Sequence, residues 1–225
     1  MFDEIAGRYD WINKVMSLGM DQAWRKALVS SLDIQPKDLV LDLATGTADV
    51  AIIEAQSQKE ALVVGLDPSS RMIEIGREKV KTEGFQDRVR LHLGDAMDLN
   101  AADGTYDKVS IAFGIRNIPD RDKALQEMRR VIRLDEASRL GILEFAQPVG
   151  GPMEFLAGLF IKYAVPVIGA LLSGKWEEYM HLERSIAEFP SPKQFAQKIS
   201  EAGFRVLHME KMMFSSVILY SAVPI

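Results

Sequence analysis

Cysteine is absent from the 225-residue chain, which rules out a disulfide framework, a zinc–thiolate site, an iron–sulfur cluster and a cysteine nucleophile. Histidine is scarce: His92, His181 and His208 leave little for a histidine-rich metal site. A basic excess is missing as well. With 27 Lys and Arg against 32 Asp and Glu, the net charge is −5, so the field that a nucleic-acid backbone requires is not there. Internal repeats, low-complexity tracts and a Pro/Gly/Ser-rich linker are all lacking, which argues against disorder and against division into domains. The first ten residues hold Asp3, Glu4, Arg8 and Asp10 and no apolar stretch, so they do not read as a secretory signal. The expected setting is a cytoplasm or an organelle matrix, mitochondrial in a eukaryote. What is present, 48% hydrophobic residues, is enough for a sizeable core in a single domain spanning 1–225.

Only one long apolar run occurs. Phe155 to Leu172 has Lys162 as its sole charge, but Gly158, Pro166 and Gly169 interrupt it, which disfavours a membrane span. It reads as a buried helix or helix pair, within the chain or at a homodimer contact. The alternatives are a wall for a greasy substrate or peripheral contact with a membrane surface, which Lys162 and Tyr163 would suit.

The rest of the pattern alternates strand and helix. Asp38 to Leu43 is a short apolar run that ends in the small residues Ala44-Thr45-Gly46-Thr47-Ala48, as a buried strand ends in a loop. A helix over Asp49 to Gln58 and a second strand, Leu62 to Asp67, complete a βαβ unit. Ser69 and Ser70 then cap a helix running to about Glu83 and ended by Gly84. Strands are predicted at Val89–Leu93, Asp107–Phe113, Arg139–Phe145, Val206–Met212 and Ser216–Val223, and helices at Asp122–Arg133 and Pro192–Ala202. This is a doubly wound, mostly parallel α/β sheet whose last hairpin is antiparallel. Helical additions at 1–35 and 150–190 are expected to cover the carboxyl ends of the strands, where open α/β sheets bind ligands.

Those strand ends carry the chemistry. The first loop has Gly46 as its only glycine, which is poor support for a dinucleotide fingerprint and for a nicotinamide-dependent oxidoreductase. Asp67, about twenty residues further on, can accept both hydroxyls of an adenosine ribose or can cap the following helix. Asp95 in Gly94-Asp95-Ala96 can take the exocyclic amine of adenine or can serve as a turn aspartate. Together, Asp42 to Asp49, Asp67 and Asp95 describe a pocket for an adenosine without a phosphate.

This arrangement resembles the seven-stranded, Rossmann-like S-adenosylmethionine-dependent methyltransferases. Phe2-Asp3-Glu4-Ile5-Ala6-Gly7-Arg8-Tyr9-Asp10 with Asn13, Ser17, Gly19 and Trp24-Arg25 resembles the opening of the ubiquinone/menaquinone biosynthesis C-methyltransferases. Phe113-Gly114-Ile115-Arg116-Asn117-Ile118 with Asp120, then Leu143-Glu144-Phe145, is similar to that family's second signature. Ser185-Ile186, Phe189-Pro190 and Ala202-Gly203-Phe204 are similar to its tail. The resemblance implies S-adenosylmethionine as cofactor, contacted by Asp42, Gly46, Thr47, Asp67, Asp95, Ala96 and Ala112. It implies catalytic roles for Tyr9, Arg116 and Asn117 facing a lipophilic quinol, with no metal. The same resemblance makes a quinone-synthesis assembly a candidate partner. Carbon methylation needs a phenolate, which a guanidinium and a tyrosine hydroxyl can stabilise. A structural ion pair of Arg116 with Asp120 or Glu144 is the competing reading. The proton could pass to a water held by Arg116 and Asn117, to a nearby carboxylate or to His181.

Several positions depart from the family pattern. The loop commonly reads Gly-Thr-Gly-Asp, and here it is Gly46-Thr47-Ala48-Asp49, which strains the loop if that position needs φ > 0. Asp21 stands where a histidine is usual, His181 where tyrosine is frequent, and Leu134-Asp135-Glu136-Ala137-Ser138 replaces a Lys-Pro-Gly-Gly turn. Two alternative functions follow. One is an N- or O-methyltransferase for another small molecule, and the other is a cofactor-deficient scaffold in a quinone-synthesis assembly.

Overall fold

The computed structural model describes residues 17, 19–148, 150–153, 158 and 184–225. Tyr9, His181, most of the expected helical additions and the apolar run 155–172 apart from Gly158 lie outside the described residues. Seven strands form one sheet: β1 (Leu39–Leu43), β2 (Leu62–Asp67), β3 (Val89–Leu93), β4 (Lys108–Ala112), β5 (Arg139–Phe145), β6 (Phe204–Met212) and β7 (Val217–Pro224). Their order is β3-β2-β1-β4-β5-β7-β6. Strands β1 to β5 pair in parallel, whereas β7 runs antiparallel to both β5 and β6. The doubly wound sheet with an antiparallel final hairpin is therefore the observed architecture. β6 starts two residues earlier than its apolar pattern suggested, because a bulge between Val206 and His208 breaks the alternation.

Side chains of alternating parity build the two faces. Leu41, Leu43, Val109, Ile111, Leu140, Ile142 and Tyr220 point to one face, under α4 (Arg121–Val131) and α5 (Pro192–Glu201). Val40 and Val63 point to the other, under α2 (Asp49–Ser57) and α3 (Ser70–Thr82). Leu143, Val217 and Leu219 continue that face beneath α1 (Asp21–Ser31). The helices start where local chemistry dictates. The Ser69 hydroxyl accepts from the Met72 N–H, the Asp120 carboxylate accepts from the Lys123 N–H, and Ser191 with Gln194 forms a capping box. Helix α4 ends at Val131 because Ile132 turns to bridge Tyr106.

Helix α1 docks closely on the sheet because β5 carries glycine beneath it. A Cβ on Gly141 would lie 2.6 Å from Leu28 Cδ1 and 2.9 Å from Leu32 Cδ2. Leu28 and Leu32 are fully buried. Leu28→Ala should therefore lower unfolding free energy by about 2–5 kcal/mol, read from urea unfolding curves. A loss below about 1 kcal/mol would mean that α1 is not docked as described.

Candidate active site

Strand order reverses between β1 and β4, and a crevice opens outside the carboxyl ends of the strands at that point. It encloses about 290 Å³, near the lower end of small-molecule sites. Three strand-end loops supply its polar wall: Ala44 and Gly46 after β1, Asp67 and Pro68 after β2, and Gly94 to Met97 after β3. Ala112 and the turn from Phe113 to Pro119 close the other side, with a short 3-10 turn at Ile115–Asn117 that the sequence pattern did not suggest. Among the described residues, no Lys or Arg lines the cleft, while the carboxylates of Asp67 and Asp95 do.

Left-handed backbone shapes these loops. Ala44 has φ 50°, Gly46 φ 56° and Ala48 φ 68°, so the chain turns left-handed at every second residue before α2 begins. Ala48 takes the conformation that glycine would adopt freely, at a cost of about 1 kcal/mol, and its methyl group is fully buried. Across the cleft Phe113 also has a positive φ, 56°. The next residue must be small, since a Cβ on Gly114 would lie 2.4 Å from Ala44 Cβ.

The expected site residues divide into those that line the cleft and those that lie behind it. Gly46, Asp67, Asp95, Ala96, Ala112 and Asn117 line it. The Asp67 carboxylate, 8% exposed, accepts the Gly46 N–H at 2.9 Å and the Ser69 N–H at 2.9 Å, which ties β2's end to the β1 loop. Asp95 is exposed and accepts the Met97 N–H at 2.8 Å. Asn117 Oδ1 is buried and has no hydrogen-bond partner among the described residues.

Asp42, Thr47 and Arg116 sit behind this lining. Thr47 is buried in the turn into α2. The Arg116 Nη1 donates to Glu144 Oε1 at 2.8 Å and to the Phe113 carbonyl at 2.5 Å, and its guanidinium lies 5.5 Å from the Phe145 ring centroid. Of the two readings of Arg116, the ion pair with Glu144 is the geometry observed. Asp21, in place of the usual histidine, is 5% exposed and ion-paired to Arg25. Arg25 reaches on to Asp49 at 3.5 Å, and Lys79 also pairs with Asp49. This chain of charges joins α1, α2 and α3 beside the cleft.

Glu54 escaped the sequence reading. Its signal is a lone carboxylate in the apolar stretch Val50-Ala51-Ile52-Ile53-Glu54-Ala55. It is fully buried, as is Ser110, whose Oγ lies 2.7 Å from Glu54 Oε1 and 3.1 Å from Asp42 Oδ1. Thr45 Oγ1 donates to Asp42 Oδ2 at 2.7 Å. Burial pushes the Asp42 carboxyl up to about 7, with the Asp67 charge adding to it. Burial, then the Asp42 charge, holds Glu54 well above the ordinary carboxylate range.

The seven-stranded sheet with its switch-point cleft is the fold found in S-adenosylmethionine-dependent methyltransferases. Two solved structures share the fold. One is a SAM-dependent methyltransferase from Aquifex aeolicus, with a TM-score of 0.68 at 17% identity, covering 96% of this chain and 98% of that one. The other is a putative methyltransferase in a complex with the Haloferax volcanii Trm112 methyltransferase activator, with a TM-score of 0.71 at 17% identity over 99% and 97%. The chain belongs to the ubiE/COQ5 methyltransferase family, which it matches over residues 1–223. A ubiquinone/menaquinone biosynthesis C-methyltransferase UbiE from Geotalea daltonii is 39% identical over 91% of this chain and 86% of its own. Demethylmenaquinone methyltransferases from Thermus thermophilus and Bacteroides fragilis are 40% and 36% identical, covering 92% and 99% of this chain and 92% and 90% of their own.

The cleft fits the cofactor. S-adenosylmethionine is cationic at sulfur and carries no phosphate, and among the described residues the cleft offers carboxylates, small residues and no cation. Asp67 would hold the ribose and Asp95 with Ala96 the adenine edge. Among the described residues, no group of three or more His, Asp or Glu side chains is placed to hold a metal ion.

Two predictions follow from the buried carboxyls and from Asp67. A carboxyl raised in the fold stabilises below its unfolded value near 3.8 and loses that stabilisation as pH rises toward about 7, because the folded state binds the extra proton. Unfolding free energy should fall between pH 5 and pH 8 by a few kcal/mol, about 3 at most from Asp42. Glu54→Gln should at least halve that slope in urea unfolding across the same pH range. Asp67→Ala should weaken S-adenosylmethionine binding by about 10–100-fold in calorimetry, since it removes charged hydrogen bonds and frees the Gly46 loop. Asp67→Asn should retain part of the affinity.

Proposed function

We propose that this methyltransferase acts on a ring carbon of a prenylated benzoquinol or naphthoquinol in ubiquinone/menaquinone biosynthesis. Membership of the ubiE/COQ5 family carries this reading, with relatives named for ubiquinone and menaquinone biosynthesis. The largely apolar cleft, which includes Phe113, Ile118 and Pro119, supports it.

When bound, S-adenosylmethionine supplies a methyl group that its sulfonium makes electrophilic. The chain's own residues must make the acceptor carbon nucleophilic and hold it in place. A free phenol with a pKa of about 10 is seldom ionised at neutral pH, so the developing oxyanion needs stabilisation by fixed dipoles or charge. Asn117 is our candidate to face the quinol. Its Oδ1, without a partner among the described residues, is an acceptor for a quinol O–H, and its amide is a donor for the oxyanion.

Arg116 we assign to positioning. Its guanidinium holds the Phe113 carbonyl against Glu144, and this fixes the turn that presents Asn117. Tyr9, from the family resemblance, remains the proposed second donor to the oxyanion. The apolar run 155–172 is the proposed wall for the isoprenoid tail.

Incubation with methyl-labelled cofactor and a demethylated prenyl quinol tests the function, with label expected on a ring carbon. Label found only on amine or hydroxyl acceptors would overturn it. Arg116→Ala should remove turnover and leave cofactor affinity within about threefold, while lowering stability by about 3 kcal/mol because Glu144 is left buried without its counter-charge. Thermal melting, kcat and the cofactor Kd separate these effects, and unchanged turnover would refute the positioning role.

A further inference from the structure

The contact among Asp42, Ser110 and Glu54 can be resolved by counting hydrogens. The Ser110 hydroxyl carries one proton, yet its oxygen lies 2.7 Å from Glu54 Oε1 and 3.1 Å from Asp42 Oδ1. With both carboxyls ionised, one of these contacts would set lone pair against lone pair in a place closed to water. Glu54 and Ser110 are 0% exposed and Asp42 is 1% exposed. At least one carboxyl therefore holds a proton. Glu54 suits it better. Asp42 already accepts from Thr45 at Oδ2, whereas Glu54 Oε2 has no partner among the described residues. A neutral carbonyl oxygen tolerates that isolation far better than a carboxylate oxygen.

Among the described residues, no cation offsets this pair. Asp49 on the same helix takes Arg25 from α1 and Lys79 from α3. Arg88 spends its guanidinium on the carbonyls of Ala55 and Gln58. Arg116 is paired with Glu144 on β5. Asp67 on β2 is a further anion, and its charge opposes ionisation of Asp42. The pair nonetheless lies just behind the cleft wall. Leu43 and Ala44, the residues after Asp42, line it, and Asp42 holds Thr45 in the same loop.

We infer that a cation entering the cleft displaces the proton of the Asp42–Glu54 pair, so that the pair becomes the ligand's buried counter-ion and is reprotonated when the ligand's charge is lost. The inference rests on S-adenosylmethionine being the ligand. That cofactor carries a sulfonium cation, and its demethylated product, S-adenosylhomocysteine, carries a neutral thioether with the same amino and carboxyl groups. Methyl transfer thus removes the charge that kept the pair ionised, and a proton returning from solvent restores the neutral form. The two ligands are distinguished by a group that touches neither of them. Because binding releases a proton, affinity for the sulfonium rises with pH, while affinity for the thioether stays nearly flat.

Calorimetry of the whole chain at neutral pH, repeated in buffers of different ionisation enthalpy, counts the protons exchanged. The expected result is about 0.3–0.7 proton released per S-adenosylmethionine and less than a third of that per S-adenosylhomocysteine, with affinity for the former tightening about 2–5-fold per pH unit. Glu54→Gln, whose amide can still donate to Ser110, should abolish the difference. Infrared difference spectra of the wild-type protein give a second readout that needs no variant. The band of a protonated carboxyl should be lost on adding S-adenosylmethionine and kept with S-adenosylhomocysteine. Equal proton counts for the two ligands, or a folded Glu54→Gln protein with the wild-type count, would overturn the inference. Failure of both ligands to bind would instead overturn the cofactor assignment, and this inference with it.

Discussion

Two neighbouring strands, β1 and β4, end in residues with left-handed backbone, and everything around the cleft follows from holding those two turns against each other. Ala44 and Phe113 bend their loops outward from the reversal in strand order. Gly114 lets the loops approach to a distance that no side chain would allow. Each turn has a buried polar anchor. Asp42 and Thr45 hold the first from below, Asp67 grips Gly46 from the side, and Arg116 with Glu144 pins the Phe113 carbonyl of the second. The non-glycine φ values persist because the surroundings over-determine them.

Charge is sorted by position around that frame. Anions face the cleft or lie under it, and the arginines nearest to it are turned to carboxylates behind its walls. Such an arrangement suits a cationic, phosphate-free ligand and is hostile to a dinucleotide, in agreement with the loop's single glycine. The α1 helix joins the scheme through Arg25, which takes Asp21 on its own helix and Asp49 on α2 while its guanidinium lies 5.8 Å from the Phe113 ring centroid. The aspartate at position 21 thus fixes the position of an arginine.

The fold was readable because its signals are local. Short apolar runs closed by small residues placed all seven strands to within a few residues, and Ser69 and Gly84 bracketed α3. Only β6 was misjudged at its start, where a bulge interrupts the period-two pattern. Among site residues, Asp67, Asp95 and Asn117 were legible because they sit at strand ends or in a signature turn, and they do line the cleft. Arg116 shows the limit of such reading. Its motif marks the turn, but only the packing of β5 reveals that Glu144 meets its guanidinium. Glu54 was missed for the same reason, since its partners Asp42 and Ser110 are distant in sequence and come together only when β1, β4 and α2 pack.

The bulge in β6 has a consequence for how the molecule coexists with its own copies. Both outer strands of the sheet are poor templates for pairing. β3 has only five residues, with Arg90 and His92 exposed, and β6 is kinked at Val206/His208 and exposes Arg205, His208, Glu210 and Lys211. A kinked or charged border offers no flat row of free amides to another strand. Addition of another strand to either edge is therefore disfavoured in a chain that is nearly half hydrophobic.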